Sequence, residues 1–538
     1  VMADAMAKGI RGFDYEKAFE AAKHSAMLDI FGLDAYKANG YISIDDEHES
    51  VSKTVEYAYD DWCIARMAKQ LGKTADHEYF MMRSQSWKNL FDPSAGNMRP
   101  RKNGGWDKPF DPREVNNNYT EGNSWQYTFF VPHDIGGLAD SYGGQEQLEA
   151  KLDEMFSSPS ATTGRQQVDI TGLVGQYAHG NEPSHHMAYL YNYAGNSQKA
   201  KEKVHYMLDN FYKNAPDGLI GNEDCGQMSA WYVLSSMGMY AVCPGMPGWD
   251  LTEPYFDFVK VRFDDGKYGN ISKSGTDEER RNFGFPSLYG KTFRESSGVL
   301  IPVPVIAAPA KSFKQKMTVR VQPLTDGGEL WYRVSGASSA TKELGFRKYA
   351  GPFEINESCT VEAYVDNFGE KSKSSLAHFV KKPNNYSIDI RSKYNRQYHA
   401  GGPEGLIDGI LGSENWRKGD WQGYQGQDFE AVIDLQKSMK LTEVAARFLQ
   451  DSRSWILMPT KVEYYTSPDN KTFTLAATVS GDTDPRTDKT IIEDFTANLN
   501  MQNARYVKVK AYNFGTLPQW HQGAGGEAFI FIDEITLK

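Results

Sequence analysis

The hydrophobic pattern of the first 245 or so residues is helical. Apolar residues recur at spacings of three and four, as in Ala18, Phe19 and Ala22, and Asp14 is placed to cap that helix. Eight helices are predicted, in four successive hairpins: residues 14–28, 51–71, 75–90, 124–142, 145–156, 184–193, 197–207 and 225–240. Hairpins of this kind commonly close into a double ring of six. Four hairpins leave such a ring open, so we expect two more upstream of Val1.

A different pattern begins after about residue 249. Alternating apolar and polar positions in residues 256–263 predict a strand, and loops rich in Gly, Ser and Lys follow to about residue 298. Short strands and turns occupy the rest of the chain. We therefore expect a helical domain with a β-rich edge, followed by two β domains. The predicted boundaries are residues 1–300, 312–382 and 385–538.

Composition narrows the classes of partner. A length of 538 residues suggests three or four domains, and a net charge of −11 argues against a nucleic-acid or anionic-membrane surface. Aromatic residues make up 13% of the chain, and their faces stack on sugar rings, which favours carbohydrate, although large cores also use aromatics. The four Cys show no metal-like C-x-x-C spacing, and no run of 18 apolar residues predicts a transmembrane segment.

The N-terminus shows no signal peptide before Val1. The chain starts without Met and close to a predicted helix, so we expect an N-terminal portion to be missing. Absence of a signal peptide therefore says nothing about secretion.

The stretch GNEDCGQMSAW at residues 221–231 combines a polar, glycine-punctuated loop with the start of a helix that is apolar on nearly every face. Glu223 and Asp224 therefore lie at the N-terminal end of a helix expected to be buried. Helix capping explains such acids, because their carboxylates accept hydrogen bonds from the free N–H groups of the first turn and complement the positive end of the helix dipole. A catalytic or metal site is the alternative.

Two other polar, aromatic-rich segments, residues 121–134 and 179–186, also place carboxylates at the start of a helix. All three lie at the same end of successive hairpins, which in a helical ring is one rim. Paired carboxylates across a sugar are what glycoside hydrolysis requires. One is a protonated acid and the other a base that activates water, about 6.5 to 9.5 Å apart in an inverting enzyme.

Six motifs of the helical half resemble those of glycoside hydrolase family 92. They are KGIRGFD (8–14), ESVSKTVEYAYDDW (49–62), KNLFD (88–92), EGNSWQ (121–126), GNEPSHH (180–186) and DCGQMSAW (224–231). The resemblance implies a calcium-dependent, inverting exo-α-mannosidase of the type abundant in gut Bacteroidetes. It also implies an N-terminal β-sandwich followed by an (α/α)6-type barrel. This chain would then lack the sandwich and the first barrel hairpins, leaving the barrel N-terminally incomplete.

The resemblance also implies roles for individual residues. Glu121 would be the general acid and Asp224 the general base, with a cap on the helix near Ser124 as the alternative for Glu121. Hard oxygen ligands suit calcium. The candidates for its shell are Gln126, Asn181 and Glu182, although an Asn-Glu-Pro turn can also simply start a helix.

Substrate contacts are the least specific part of the resemblance. Trp87 and Trp125 are candidate walls of the sugar site, with core packing as the alternative. His185 and His186 are candidate sugar contacts or satisfied core residues. Glu223 stands where the family usually has Asp, which keeps the charge and lengthens the reach.

The C-terminal half resembles two β modules. Residues 312–382 resemble a small fibronectin-III-like sandwich, whose expected role is that of a spacer. Residues 385–538 resemble a discoidin (coagulation factor 5/8 type C) jelly roll, a family that includes carbohydrate-binding modules. Asp408 and Glu534 match positions near a structural calcium often found in it, with an ordinary turn Asp and an exposed strand acid as the alternative. Trp416, Trp421 and Trp520 lie in polar loops where a sugar could stack.

Two functions are predicted from different classes. The first is a periplasmic or extracellular α-1,2-mannosidase that removes terminal mannose from N-glycans or mannan with Glu121, Asp224 and calcium. Its partners would be mannose-containing glycans, together with the missing N-terminal portion if the site needs it. The second is a glycan-binding protein in which the catalytic part is an inactive remnant.

Overall fold

The structure is a computed structural model that describes residues 1–273, 299–336 and 345–538. It contains a helical part, a two-sheet β unit and a second, larger β unit, in that order along the chain. The multidomain architecture predicted from the sequence is therefore confirmed. Most of the glycine-rich loops predicted up to residue 298 lie outside the described residues. No helix in the described ranges is long and apolar enough to cross a membrane.

The helical part contains eleven α-helices among the described residues, so the predicted number of eight is wrong. They are α1 Met2–Ala7, α2 Tyr15–Ala26, α3 Leu33–Asn39, α4 Ser50–Gln70, α5 Thr74–Arg83, α6 Ser124–Thr128, α7 Ile135–Tyr142, α8 Gln145–Ser157, α9 Leu190–Tyr193, α10 Ser197–Phe211 and α11 Gln227–Ser236. The difference arises partly from short helices that the periodicity missed. Helix α3, for example, spans seven residues between two glycines in left-handed conformation.

The predicted helix over residues 124–142 is broken in two. Pro132 has no N–H to donate and disfavours a continuous helix across this point. A second N-cap follows directly, because the Asp134 carboxylate accepts a hydrogen bond from the Gly137 N–H at 3.1 Å and starts α7. The segment 184–193 is similarly divided into 3-10 turns at Glu182–Ser184 and Met187–Tyr189 followed by α9.

Helix α4 is the central buried element of this part. Its burial extends around most of the helix, as its sparse polar face predicted, and includes Val51, Val55 and Ala58. One buried acid, Asp61, accepts hydrogen bonds from the Tyr36 hydroxyl at 3.0 Å and the Arg83 Nε at 2.9 Å. This pairing offsets only part of the cost of burying its charge, because burial still raises the pKa of Asp61 to about 7.

Short strands line the loops of the helical part. They are β1 Phe91–Asp92, β2 Asn97–Met98, β3 Arg101–Lys102, β4 Gly105–Trp106, β5 Glu114–Val115, β6 Thr163–Gly164, β7 Leu173–Val174, β8 Tyr177–Ala178, β9 Met239–Tyr240, β10 Asp250–Leu251, β11 Phe258–Arg262 and β12 Tyr268–Ser272. The parallel β5–β6 pair ties the loop after α8 to the segment that precedes α6. This pairing holds two chain-distant loops on the same side of the helices.

The middle unit packs two sheets around a shared apolar core. Its strands are β13 Val305–Ala307, β14 Ser312–Phe313, β15 Met317–Gln322, β16 Glu329–Gly336, β17 Arg347–Lys348, β18 Phe353–Ile355, β19 Cys359–Asn367, β20 Glu370–Lys371 and β21 Ser375–Lys381. One sheet has the order β13-β15-β18, and the other has the order β14-β21-β19-β16-β17. The short strands predicted for this part of the chain are confirmed, whereas the fibronectin-III likeness stays a prediction.

The last unit is a seven-stranded sheet of β22 Ser387–Ile390, β23 Gln422–Gln425, β24 Phe429–Gln450, β25 Lys461–Ser467, β26 Thr474–Ser480, β27 Ile491–Tyr512 and β28 Phe529–Leu537. The order is β23-β28-β24-β27-β25-β26, with β22 on β24. Strands β24 and β27 change register after Asp434. Such irregularities bend long strands, which lets the sheet enclose its core.

Hydrogen bonds join the three units. The buried Arg101 guanidinium donates to the Pro304 carbonyl at 2.7 Å and to the Ser375 hydroxyl at 3.1 Å, both in the middle unit. Lys102 donates to the Gly419 carbonyl of the last unit at 3.0 Å. The hairpin β3–β4 is therefore the point at which the helical part holds both β units.

Candidate active site

The three acidic segments predicted to share one rim do meet. The Asn181 amide donates to the Glu121 carbonyl at 3.0 Å, which joins the first segment to the second. Gly221 joins the third, since a Cβ there would lie 2.8 Å from the backbone of Gly180. Only glycine permits so close a backbone approach. We call the carboxylates Glu121, Glu182 and Asp224, together with Asp169 described below, the acidic rim.

Glu121 is exposed and has a left-handed backbone with φ of 48°. It does not cap the helix that follows it. The N-cap of α6 is Asn123, in a capping box with Gln126. The alternative of Glu121 as a helix cap is therefore wrong, and its carboxylate extends from a turn that an unrestrained chain rarely adopts.

The adjacent acids Glu223 and Asp224 have different environments. The Glu223 carboxylate accepts hydrogen bonds from the Gly226 N–H and, at 3.1 Å, from the Ser229 N–H, so it caps α11. Asp224 is exposed and has φ of 51°. The capping explanation thus holds for the first acid, whose role in substrate binding stays a prediction. Helix α11 is less buried than its sequence suggested, because Val233 is 53% exposed.

Two members of the acidic rim, Glu121 and Glu182, have raised pKa values. Partial burial raises the pKa of Glu121, and the charges of Asp169, Glu182, Asp224 and Glu49 raise it further. Burial also raises the pKa of Glu182, and the charges of Asp224 and Asp169 raise it further. Like charges in proximity disfavour ionisation, so these groups retain protons to higher pH than isolated glutamates.

Asp169 is a member of the acidic rim that sequence reasoning missed. It follows β6 in the loop before β7, and its Oδ1 accepts a hydrogen bond from the Asn222 amide at 3.2 Å. Among charged groups it is the largest contributor to the raised pKa of Glu121. No motif of the sequence surrounds it, and only the loop closure by β5–β6 brings it here.

The two predicted histidine contacts are buried, with 2% of His185 and 5% of His186 exposed. The His185 Nε2 lies 2.9 Å from the His179 carbonyl, and its Nδ1 accepts from the Gln227 amide at 3.0 Å. The His186 Nε2 lies 2.7 Å from the Phe129 carbonyl. Burial lowers the pKa of each to about 4, which makes both neutral at pH 7. Both therefore hold the scaffold together, and direct sugar contact stays a prediction.

A third histidine is the centre of this scaffold. His179 is fully buried, and its ring nitrogens lie 2.7 Å from the Tyr177 hydroxyl and 2.8 Å from the Tyr212 hydroxyl. The Trp231 ring packs edge-on against it, with ring centres 4.4 Å apart. We call His179, His185 and His186 the histidine core.

The predicted aromatic walls also lie inside the protein. Trp87 is fully buried and Trp125 is 3% exposed. The Lys151 ammonium lies 4.2 Å from the centre of the Trp125 ring, an attractive cation–π contact. Packing thus accounts for both side chains, and a role as sugar-facing walls stays a prediction.

Comparison with known proteins places this geometry in a family. The glycosyl hydrolase family 92 catalytic domain matches residues 1–292 of the chain, and the F5/8 type C domain matches residues 389–526. The chain belongs to glycosyl hydrolase family 92. Its C-terminal part is an F5/8 type C, or discoidin, domain.

Three relatives illustrate the similarity. An uncharacterized secreted glycosidase of Arthroderma benhamiae is 28% identical over 334 residues, which is 54% of this chain and 40% of the relative. A family 92 alpha-mannosidase of Bacteroides thetaiotaomicron, solved with mannoimidazole, is 42% identical over 50% of this chain and 37% of its own, with a TM-score of 0.48. A family 92 inverting mannosidase of the same organism is 37% identical over 51% of this chain and 40% of its own, with a TM-score of 0.46. The chain thus spans about two fifths of the length of these relatives.

The predicted calcium ligands of this family 92 chain fit only in part. Asn181 and Glu182 provide the amide and carboxylate oxygens that calcium prefers, beside an excess of negative charge that a cation would relieve. Both polar groups of the Gln126 side chain already make hydrogen bonds within the protein. Its Oε1 accepts a hydrogen bond from the Asn123 N–H at 2.9 Å, and its amide N–H donates to the Gln176 carbonyl at 3.0 Å. In the described part of the chain no three or more His, Cys, Asp or Glu side chains form a metal-binding group.

The acids predicted near a structural calcium of the discoidin domain are both buried, with 7% of Asp408 and 5% of Glu534 exposed. Glu534 accepts a hydrogen bond from the Gly409 N–H at 3.1 Å, and burial together with the charges of Asp408 and Asp533 raises its pKa to about 8. The alternative of an exposed strand acid is therefore wrong, and the calcium site stays a prediction. Of the three loop tryptophans, Trp416 and Trp421 are buried and Trp520 is 40% exposed.

Proposed function

We propose that the chain carries the acid and base of an inverting exo-α-mannosidase that removes α-1,2-linked terminal mannose from N-glycans or mannan. One observation carries most of the proposal: Glu121 and Asp224, from two different helix starts, are exposed carboxylates in left-handed backbone on one rim. Strained backbone of this kind costs free energy and is concentrated at active sites. The sugar is inferred from the mannosidases of the same family.

Glu121 is the general acid of this proposal. A general acid must hold its proton at the working pH, and the surrounding carboxylates raise the pKa of Glu121 in the required direction. It donates that proton to the glycosidic oxygen as the bond to the leaving sugar breaks. Removal of the acid would be expected to slow the reaction by about 10²- to 10⁴-fold.

Asp224 is the general base. It takes a proton from a water molecule that attacks the anomeric carbon from the face opposite the leaving group, so the product has inverted configuration. Glu182 belongs to the same rim, and burial together with the charge of Asp224 raises its pKa.

The activity is proposed to depend on calcium. Asn181 and Glu182 are the residues that would hold the ion, because their oxygens are hard donors at the acidic rim. A bound calcium would polarise and orient sugar hydroxyls. The secreted relative and the glycan substrate together favour a periplasmic or extracellular location.

The test is release of mannose from an α-1,2-linked mannobiose by the chain as it stands, first with calcium and then with a chelator. The proposal expects release that the chelator suppresses, calcium restores and Glu121→Gln reduces at least a hundredfold. The anomer released first, read by proton NMR, should be β from an α-linked substrate. Glu357→Gln, an exposed glutamate of the middle unit, serves as the matched control and should leave the rate unchanged.

Two outcomes would contradict the proposal. Equal rates for Glu121→Gln and Glu357→Gln would remove Glu121 from the mechanism. Binding of mannan without release of mannose under any condition would favour the alternative function, a glycan-binding protein with an inactive catalytic part.

A further inference from the structure

A second concave surface lies between the helical part and the discoidin domain. It is a groove of about 1110 Å³. The helical side contributes Glu114 and residues 163–166, and the discoidin side contributes residues 393–398 together with Arg417 and Trp455. The two sides are joined by Gln397, whose amide donates to the Val115 carbonyl. The groove therefore exists only because the two domains are in contact.

The groove is strongly basic in an acidic protein. Five cationic side chains line it, and Glu114 is the single carboxylate among the lining residues: the cations are Arg165, Lys393, Arg396, Arg417 and Arg453. The whole chain carries a net charge of −11. Within the described ranges, no carboxylate lies within salt-bridge distance of Arg165, Lys393 or Arg396. Their charges are therefore available to a ligand.

Arginines from both domains line the groove around Tyr398. Tyr398 lines the groove together with Arg165 and Arg417. Burial raises the pKa of Tyr398, and the charges of the two arginines oppose that rise. Arg165 belongs to the helical part and Arg417 to the discoidin domain. A negatively charged group beside Tyr398 would meet cations from two sides, whereas either domain alone provides only one of them.

Two of the cations, Arg417 and Arg165, are held in place by neighbouring residues. The Arg417 guanidinium lies 4.1 Å from the centre of the Trp416 ring, and the Trp416 indole N–H donates to the Asp451 carboxylate at 3.0 Å. The Arg165 backbone N–H donates to the Val115 carbonyl at 3.0 Å, and its side chain reaches the Asn117 amide oxygen at 3.4 Å. Fixed guanidinium groups lose little freedom on binding, and they bind carboxylate, sulfate or phosphate oxygens through paired hydrogen bonds.

Aromatic and amide side chains accompany the cations. Tyr394, Tyr398 and Trp455 line the groove and are each partly exposed. The Trp455 ring packs directly against the backbone of Gly523 and Gly526. A Cβ added at these glycines would lie 2.4 and 2.7 Å from the ring, so the ring is fixed in position. Partly exposed aromatic faces beside amide groups suit a sugar ring better than a bare inorganic ion.

We propose that this groove binds an anionic saccharide, one whose sugars carry carboxylate, sulfate or phosphate groups. Guanidinium groups of both domains hold the anionic substituents, and the aromatic faces pack against the rings. The groove is separate from the acidic rim, although Arg165 and Asp169 lie four residues apart in one loop. Binding here does not depend on whether the rim is active.

The test is calorimetric titration of the full chain with three anionic probes and one neutral one. The anionic probes are a galacturonate hexasaccharide, a heparin-derived hexasaccharide and a pentamannosyl phosphate, and the neutral probe is mannopentaose. At least one anionic probe should bind ten times more tightly than the neutral one, with an affinity that falls as salt rises. Comparison of the three probes identifies the anionic group.

The variant Arg165→Gln/Arg396→Gln removes one exposed arginine from each domain and should weaken binding of the preferred probe at least tenfold. A matched double variant, Arg320→Gln/Arg347→Gln, makes the same change of charge at exposed positions of the middle unit and should bind as the unaltered chain does. Circular dichroism confirms that both variants are folded.

Three results would overturn the proposal. Equal affinity for the neutral and all anionic saccharides would exclude charge recognition. Equal weakening by both double variants would show an effect of net charge only. Binding of inorganic polyphosphate or single-stranded DNA as tightly as the best saccharide would show a general polyanion surface.

Discussion

The acidic rim and the histidine core are built by the same stretch of chain but have opposite physical properties. Residues 179–186 contribute Glu182 to the rim and all three histidines to the core. The rim carboxylate is exposed and its pKa is raised, whereas the histidines are buried and their pKa values are lowered. Both shifts favour the neutral form of the group and have burial as their largest cause, but on the rim repulsion by other carboxylates adds to the shift.

The causes distinguish a reactive site from its support. In the core, burial is the main cause that disfavours charge, with a further effect of His185 on the other two histidines, and each histidine has a hydrogen-bond partner. On the rim, other carboxylates add to the effect of burial, and two of the acids have left-handed backbone. Charge repulsion and strain of this kind reduce stability and are retained where a reaction needs them. The comparison therefore supports the proposal that the rim carries the chemistry and that the core holds it in place.

The sharpest test uses two neighbouring acids. Asp224→Asn removes the proposed base and should reduce the rate of mannose release by about 10²- to 10⁴-fold, because a positioned base contributes that much. Thermal unfolding should hardly change, since Asp224 is exposed. Steady-state kinetics and calorimetry on the same preparation measure both effects.

Glu223→Gln is the matched variant one residue away. Its carboxylate accepts from the Gly226 and Ser229 N–H groups, and these bonds lower its pKa, so the change should weaken the cap of α11. The expected result is a modest fall in thermal stability with a rate close to that of the unaltered chain. A rate loss as large as that of Asp224→Asn would show that Glu223 also belongs to the chemistry.

The core should respond in the opposite way. His179→Ala leaves a cavity and two tyrosine hydroxyls without their partner, which should cost about 3 to 5 kcal/mol, as for other large buried side chains. Urea unfolding monitored by tryptophan fluorescence measures this. The exposed His24 of α2 is the control, and His24→Ala should change little. Loss of activity in His179→Ala without loss of stability would place His179 at the reaction instead.

Much of this architecture was accessible from the sequence. Amphipathic spacing located α2 and α4 within two residues, and the motifs contain three of the four acids of the rim, Glu121, Glu182 and Asp224. Periodicity could not predict the break at Pro132, because the apolar residues on both sides continue one pattern. Short elements such as α3 were missed because seven residues contain too few turns to show a period.

The candidate contacts show where sequence reasoning ends. Trp87 adjoins the KNLFD motif, and His185 and His186 lie within the GNEPSHH motif. Only packing decides whether such side chains point into a cavity or into the core, and here they are buried. Asp169 had no motif at all. It reaches the rim through the parallel pairing of β5 with β6, a contact between residues about 50 positions apart. Long-range pairings of this kind leave no local signal.

Asp169 also provides the finest test of the comparison. Its charge raises the pKa of Glu121, so Asp169→Asn should lower that pKa. Glu121 must be protonated to act, and activity therefore disappears as the pH rises through its pKa. The alkaline limb of the rate profile should move to lower pH, while the maximal rate and the thermal stability stay nearly constant. Asp326→Asn, an exposed aspartate of the middle unit, should leave the limb in place. If the alkaline limb does not move in Asp169→Asn, the group that titrates there is not Glu121. Removal of a neighbouring charge must change the proton affinity of the acid on which that charge acts.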